Sequence, residues 1–347
     1  MAGEHAVSFR WTSLIAYCSK TRLILDTEDR IIAVLVGQPD DPQWRDAIND
    51  AAEVMKGVER LGASEDLFTE KNLHHRRGEF LAIPVGVSFG GGQTVRARPG
   101  FQTPANKRLN AGSWKPSPHP SNAQAHPTVA SIPQHQTHRR FSVEYASISS
   151  YLQPYWCITD TGAFAAFAPK LYRYLAQILR SLFEKYPYLT HNFSNSVFPA
   201  ASFNCGPKSV SLDHTDFNNL SHGLCALTAL GTFNHLLGGH LILFGLRLAI
   251  QFPAGSTVLI PSGCMDHGNT PIGEGEVRLS IAQYAAGGLV RWVAYGFRTA
   301  KSLLKTAAGR RFIKKADKGT GERWREGVAM FSTLQGLQAD AEAAYGD

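Results

Sequence analysis

The chain has 347 residues, of which 44% are hydrophobic and 18% charged, a composition that supports a sizeable packed core. No window holds 18 uncharged apolar residues, and no basic segment followed by an apolar run opens the chain, which argues against a membrane or secreted protein. Five cysteines without a C-x-x-C pair argue against a disulfide scaffold or a zinc module.

Two short apolar runs near the N-terminus, residues 22–25 and 31–36, flank a polar turn and predict a β-hairpin. A helix is predicted to follow, with Asp41 as its N-cap and Pro42 in its first turn. Its apolar residues recur at steps of three and four: Trp44, Ile48, Ala51, Met55 and Val58. We therefore predict an N-terminal α+β region over residues 1–98.

Seven of the 18 prolines lie between Pro99 and Pro133, among polar residues, and they predict an irregular insertion over residues 99–137. A long helix is predicted further along, ending near Pro187. The apolar residues of its buried face are Phe164, Phe167, Leu171, Leu175, Ile178 and Leu182.

Short β-rich runs punctuated by glycine and proline come next, and they favour a sandwich or jelly roll over a parallel α/β fold. The runs are residues 196–203, 224–233, 240–244, 246–250, 257–260, 277–284 and 289–294. Residues 299–347 predict a basic, helical C-terminal extension. Ten Lys/Arg and three Asp/Glu between residues 298 and 326 account for an excess equal to the +7 of the whole chain.

A metal-binding pattern lies inside the β-rich region. His214 and Asp216 are two residues apart and share one side of extended backbone, and His267 follows 51 residues later. Two imidazoles and one carboxylate form the non-haem iron(II) pattern, which leaves positions open for an oxo acid and O2. In a chain with 13 histidines, a chance His-x-Asp is the alternative interpretation.

A carboxylate-binding pair follows, because Arg278 and Ser280 share one strand face eleven and thirteen residues after His267. A guanidinium binds a carboxylate through two parallel hydrogen bonds and a hydroxyl adds a third, which suits the far carboxylate of 2-oxoglutarate. Asn204, on the strand that enters the metal loop, either contacts this co-substrate or only pairs through its backbone.

With these residues the sequence resembles the double-stranded β-helix dioxygenases, and among them the TET/JBP group of nucleic-acid base oxygenases, including its fungal members. The resemblance covers residues 141–298 and is densest over 214–296. It implies an α+β fold with a double-stranded β-helix (jelly-roll, cupin-like) core over residues 138–298 and flanking helices. It also implies Fe(II), 2-oxoglutarate and O2 as cofactors, and a methylated base in DNA as substrate, 5-methylcytosine first and N6-methyladenine or thymine after it.

Two residues match positions that contact the extruded base in the TET pattern. Asn219 lies three residues after Asp216, and Tyr284 lies six residues after Arg278, on the same strand face. A turn-capping role for Asn219 and core packing for Tyr284 are the alternatives. Ala286 stands where the TET pattern has a histidine that binds methylcytosine, and the Cys-rich zinc-binding region of the animal proteins is absent.

Basic residues are predicted to contact nucleic acid, with a solvated surface as the alternative: Arg139, Arg140, Arg310, Arg311, Lys314 and Lys315. The basic run over residues 74–77 has the same two interpretations. The expected partner is DNA with modified bases, or RNA, without a membrane; the expected location is the nucleus, and the oligomeric state is not predicted. Two other functions stay open, a small-molecule or protein hydroxylase with the same metal centre and a non-catalytic nucleic-acid-binding module.

Overall fold

The structure is a computed structural model that describes residues 13–16, 20–64, 73–88, 160–187, 189, 191, 193 and 196–346. The predicted insertion over residues 99–137 lies outside these ranges, as do Arg139 and Arg140. Across the described residues, α-helices pack on mainly antiparallel β-sheets. None of the described helices combines the length and the apolar character that crossing a bilayer requires.

The N-terminal part confirms the predicted hairpin and helix. The strands over residues 22–25 and 31–36 pair in antiparallel fashion, and Asp41 Oδ1 accepts a hydrogen bond from the Gln43 amide (2.8 Å) just before the helix begins at Trp44. The elements are β1 (Ser13–Ile15), β2 (Arg22–Leu25), β3 (Ile31–Val36), α1 (Trp44–Ser64), β4 (His74–His75), β5 (Gly78–Glu79) and β6 (Leu81–Gly86).

The predicted long helix is two helices, α2 (Asp160–Phe167) and α3 (Pro169–Lys185). Pro169 lies in the first turn of α3, where its missing N–H costs nothing, but the same residue cannot continue α2. The predicted end near Pro187 is confirmed, since α3 stops at Lys185.

The β-rich region contains most of the predicted strands, and the bounds of the strands predicted over residues 257–260 and 277–284 are confirmed to the residue. The first run is displaced, because its strand begins at Ala200, and β12 was not predicted. The elements are β7 (Ala200–Cys205), β8 (Cys225–Thr232), β9 (Leu241–Leu243), a 3-10 turn (Phe244–Leu246), β10 (Leu248–Ile250), β11 (Thr257–Ile260), β12 (His267–Asn269) and β13 (Val277–Tyr284).

The strand predicted over residues 289–294 is wrong, because these residues belong to helix α4 (Gly287–Ala294). Leu289, Val290 and Trp292 are buried there, and an apolar run this short does not distinguish a buried helix from a buried strand. The C-terminal extension is helical as predicted, with α5 (Ala300–Leu303), α6 (Ala307–Asp317), α7 (Thr320–Ala329) and α8 (Leu337–Tyr345).

The strands of the β-rich region are divided between two sheets. In the described residues one sheet has seven strands in the order β2-β3-β11-β8-β13-β7-β6, and the other has four in the order β1-β10-β9-β12. From β7 onward the chain passes back and forth between them. Residues 211–214 run beside β12, and a bridge between His214 and His267 joins the two segments.

The seven-stranded sheet has an outer face covered by helices and an inner face turned toward the four-stranded sheet. Leu279 and Ile281 of β13 point outward and pack in one cluster with Met55 of α1. Ala229 of β8 points inward and packs with Leu243 of β9. Since side chains alternate along a strand, the even-numbered residues of β13 face inward, between the sheets.

Candidate metal centre

Three potential metal ligands come together where residues 211–216 pass β12. Ligand atoms of His214, Asp216 and His267 all lie within 4.8 Å of one another. Asp216 Oδ1 is 3.8 Å from His214 Nε2, and Asp216 Oδ2 is 3.9 Å from His267 Nε2. Two imidazole nitrogens and one carboxylate oxygen on one side of a point match the ligand set of non-haem iron(II) sites.

The backbone presents the Nε2 atom of both histidines to this point. His214 Nδ1 lies 2.7 Å from the carbonyl oxygen of Leu212, and His267 Nδ1 lies 2.9 Å from that of Met265. A carbonyl can only accept, so Nδ1 carries the proton and donates in each ring. Each Nε2 therefore keeps its lone pair for a metal, and the ring orientation is fixed.

The protonation state of His214 also favours metal binding. Burial lowers the pKa of His214 to about 4, and the nearby His267 acts in the same direction. The imidazole is consequently neutral at physiological pH, which is the form that binds a metal ion.

Arg278 is buried on the inner face of the seven-stranded sheet, with only 2% of its surface exposed. Its Nη1 donates to the Ser209 carbonyl (2.7 Å), its guanidinium lies 5.9 Å from the Phe233 ring centroid, and its buried Nε has no partner within the described residues. Burial lowers the pKa of Arg278 to about 10, so the side chain remains charged at neutral pH. A buried cation without an acidic partner is costly, and a bound carboxylate would offset that cost.

The stem of Arg278 has space because a glycine lies beside it. Gly239 has a φ of +68°, and a Cβ there would come within 2.6 Å of the Phe233 ring and 3.3 Å of Arg278 Cδ. Any other residue would therefore be strained and would press on the arginine.

Ser280 and Asn204 are directly paired neighbours on β13 and β7. Asn204 Nδ2 donates to Ser280 Oγ (3.0 Å), and Asn204 Oδ1 accepts from Ser202 Oγ (3.3 Å). Because Ser280 Oγ already accepts one bond, its own proton remains available for an anionic ligand. The Asn204 amide thus orients the hydroxyl that lies two residues from Arg278.

The inner face beside these residues is made of small side chains. One row across four neighbouring strands consists of Ala82, Asn204, Ser280 and Ala229. The outer row next to it carries Ile83, Phe203 and Ile281 instead. Small side chains therefore line the inner face beside Ser280.

The two predicted base contacts lie near the metal ligands. Tyr284 is on the inner face at the far end of β13, about 20 Å along the strand from Arg278. Burial raises the pKa of Tyr284, and the nearby charges of Arg77 and Asp216 act on it in opposite directions. Asn219 Nδ2 donates to Ser262 Oγ (3.1 Å), and the Asn219 backbone N–H donates to the Asp216 carbonyl in a turn (2.7 Å), so the turn-capping interpretation describes part of its role. Ala286 is buried and forms a backbone bridge with Asn219.

The predicted nucleic-acid contacts that the structure describes lie on α6. Arg310, Arg311, Lys314 and Lys315 are all exposed. Phe312 anchors the helix, with Arg298 4.8 Å above its ring and the Tyr295 ring 6.5 Å away. Tyr295 follows the last residue of α4, and the first residue of that helix, Gly287, donates to the carbonyl of Asn218, two residues after Asp216.

Sequence reasoning did not assign Arg76 and Phe217 to the metal centre. Arg76 Nη2 lies 3.6 Å from Asp216 Oδ1, and the Arg76 guanidinium is 4.7 Å from the centroid of the Phe217 ring. The basic run over residues 74–77 was the available signal, but nothing local connects it with a loop about 140 residues away.

No protein-family model matches the chain, and no curated protein sequence matches it. Among solved structures, it is similar to NgTET1 in complex with 5mC DNA, at 11% sequence identity and a TM-score of 0.43. The match covers 80% of this chain and 83% of that one. A likeness of this size assigns neither a family nor an activity.

Proposed function

We propose that this chain is an Fe(II)- and 2-oxoglutarate-dependent dioxygenase that oxidises a methylated base in DNA. The single observation that carries the proposal is the combination of the His214–Asp216–His267 cluster beside β12 with the buried Arg278 guanidinium on the facing sheet, for which the described residues offer no acidic partner. The cluster fits a metal, and Arg278 fits the carboxylate of a co-substrate.

The fold supports this function. Alternation of the strands between two facing sheets is the arrangement of a double-stranded β-helix, which we propose for the core over residues 138–298. In this reading β7, β8, β11 and β13 form the larger sheet, and residues 211–214 extend the smaller one beside β12. The N-terminal region (1–98) adds β2, β3 and β6 to the larger sheet and α1 to its outer face.

Each residue has a defined task in the proposed reaction. His214, Asp216 and His267 hold iron(II), while Arg278 and Ser280, oriented by Asn204, hold the far carboxylate of 2-oxoglutarate. When bound, the metal and the co-substrate supply oxidation of a C–H bond by O2, with succinate and CO2 as co-products. The protein contributes ligand orientation and a site enclosed between two sheets.

For the substrate, we propose an extruded base that faces Tyr284 and Asn219. The Asn219 amide donates to Ser262, which leaves its Oδ1 to accept from an exocyclic amine. 5-Methylcytosine and N6-methyladenine carry such an amine, whereas thymine does not. Because Ala286 offers no polar side chain, discrimination between these bases is expected to be looser than in a site that pairs every polar group.

Mass spectrometry of nucleosides tests the proposal directly. The full chain is incubated with Fe(II), 2-oxoglutarate and duplexes that carry 5-methylcytosine, N6-methyladenine or only unmodified thymine, with Asp216→Ala as the inactive control. We expect hydroxymethylated base and succinate from the wild type and neither from the variant. Succinate formation with a small-molecule or peptide extract, but with none of the duplexes, would support the generic hydroxylase instead.

A further inference from the structure

The hairpin formed by β4 and β5 is attached to the segment that carries the metal ligands. The Leu212 amide donates to the Arg77 carbonyl (2.7 Å), only two residues before His214. A Cβ on Gly78 would lie 2.7 Å from the Val210 carbonyl oxygen, so the turn approaches this segment as closely as glycine allows. The hairpin therefore holds Arg76 and Arg77 at a fixed place beside the metal ligands.

Arg76 and Phe217 form an exposed pair at the mouth of the site. Phe217 directly follows the ligand Asp216, yet its side chain is 66% exposed. The Arg76 guanidinium covers part of the ring at 4.7 Å, and 47% of the Arg76 side chain is itself exposed. An exposed aromatic ring next to metal ligands contributes nothing to the core and is available to a ligand.

Charge indicates what kind of ligand fits. Iron(II), Asp216, Arg278 and the dianion of 2-oxoglutarate sum to zero in formal charge, so the hairpin decides the sign at the mouth, and there Arg76 and Arg77 outnumber Glu79. Asp213 and Asp266 are exposed nearby, but alternation along extended backbone points them away from the side that His214 and His267 face. The mouth therefore favours an anionic substrate over a cationic one such as a methylated lysine.

We propose that Arg76 and Phe217 form a nucleotide-binding site beside the metal, in which Phe217 stacks on an unpaired base and Arg76 pairs with the adjoining phosphate. The inference rests on the proposed function and names residues that hold the substrate strand. Stacking on an aromatic side chain is independent of sequence, because every base has a π face. A guanidinium supplies both charge and hydrogen bonds to a phosphate.

Fluorescence anisotropy of a labelled single-stranded oligonucleotide tests the pair. The full chain is titrated anaerobically, with and without iron(II), as wild type, Phe217→Ala, Arg76→Gln and Arg76→Lys. Two matched controls remove equivalent groups elsewhere: Leu237→Ala, an 83% exposed apolar residue, and Arg45→Gln, an exposed cation on α1. Circular dichroism verifies that each variant is folded.

We expect Phe217→Ala to weaken binding roughly 5- to 100-fold, the usual effect of losing one stacked base. Arg76→Gln should weaken it and lower the slope of log affinity against log salt by about 0.7, the value of one phosphate contact on a single strand. Arg76→Lys should restore most of that slope, and both controls should match the wild type.

Three results would overturn this inference. Binding that is equal in wild type, Phe217→Ala and Arg76→Gln would show that the strand lies elsewhere. Weaker iron binding in Arg76→Gln with an unchanged salt slope would show that Arg76 only positions Asp216. Binding of a methylated-lysine peptide in preference to the oligonucleotide would assign the mouth to another substrate class. The proposed function fails separately, if the wild type binds neither iron(II) nor 2-oxoglutarate.

Discussion

The outer and inner faces of the seven-stranded sheet use alternate residues of the same strands for opposite purposes. On β13, Leu279 and Ile281 pack against α1, while Arg278 and Ser280 face the space between the sheets. Around Arg278 and Ser280 the outer face carries large apolar side chains, whereas the inner face combines small residues with a buried charge. The stability of the sheet and the chemistry of the site are therefore separated by one residue of strand register.

The buried charge on the inner face lowers the stability of the ligand-free protein, and the apolar packing of the outer face offsets that loss. A guanidinium buried without an acid destabilises the folded state until a carboxylate binds. The outer apolar cluster has to offset this cost in the ligand-free protein. Substitutions on the outer face should consequently lower the free energy of unfolding and leave ligand binding nearly unchanged. Removal of the buried charge on the inner face should weaken ligand binding without lowering the free energy of unfolding.

The largest effect is expected for Arg278→Met, which keeps volume but removes the buried charge. Affinity for 2-oxoglutarate should fall by about 2 to 5 kcal/mol, because one partner of a charged hydrogen-bonded pair is lost. The free energy of unfolding should stay the same or rise. Anaerobic calorimetry with iron(II) and urea unfolding measure the two quantities; unchanged co-substrate affinity would move the carboxylate site elsewhere.

Leu279→Ala, one residue along the strand, should show the reverse. Removing a fully buried leucine from the outer cluster should lower the free energy of unfolding by about 2 to 5 kcal/mol. The protein that remains folded should bind 2-oxoglutarate with nearly wild-type affinity. If that affinity fell as far as in Arg278→Met, the two faces would not be separate.

Tyr284→Ala should weaken handling of the methylated base by about 1 to 3 kcal/mol through lost stacking. Affinity for 2-oxoglutarate should change much less, since Arg278 lies at the other end of β13. Tyr284→Phe is the matched control and should keep most of the binding. Oligonucleotide titration and co-substrate calorimetry separate the effects, and equal losses in both would indicate a packing role for the tyrosine.

The smallest effect concerns the hairpin at the rim of the inner face. Burial, together with the charge of Arg77, lowers the pKa of His75 from 6.5 to about 4. His75 Nε2 donates to the Phe80 carbonyl (3.0 Å), and its buried Nδ1 has no partner in the part of the chain that the structure describes. A proton on Nδ1 is thus favoured in the unfolded chain and disfavoured in the folded one.

The contribution of His75 to stability should therefore fall as the pH drops from about 6.5 to about 4, and stay constant below that. Urea unfolding of wild type and His75→Gln at pH 7 and pH 5 isolates it from the other histidines. The difference in unfolding free energy between the two pH values should be larger for the wild type. An identical difference in both proteins would exclude His75 as the cause.

The sequence predicts an element of this structure correctly where the residues that define its ends are close to it in the chain. The bounds of β11 and β13 could be predicted because apolar runs are closed by glycine, proline or charged turns. Helix α4 was mistaken for a strand, since an apolar run as short as residues 289–294 does not distinguish the two by its periodicity. The break between α2 and α3 was missed because the apolar periodicity continues across Pro169.

The site shows the same limit. The spacing of His214, Asp216 and His267 predicted that they bind one metal ion, and the structure brings their ligand atoms within 4.8 Å of one another. The contact of Arg76 with Asp216 joins segments about 140 residues apart and leaves no pattern in either. Within the described ranges no acidic side chain pairs with Arg278, and this is a property of packing that no linear spacing encodes.

Main-chain carbonyls, rather than side chains, orient the two histidine ligands. The carbonyls of Leu212 and Met265 are present whatever residues occupy those positions. Evolution can therefore replace both side chains, and reshape the surface around the metal, without altering which ring nitrogen faces it. A protein engineer could vary the same two positions to change substrate access, with the ligand tautomers inherited from the backbone.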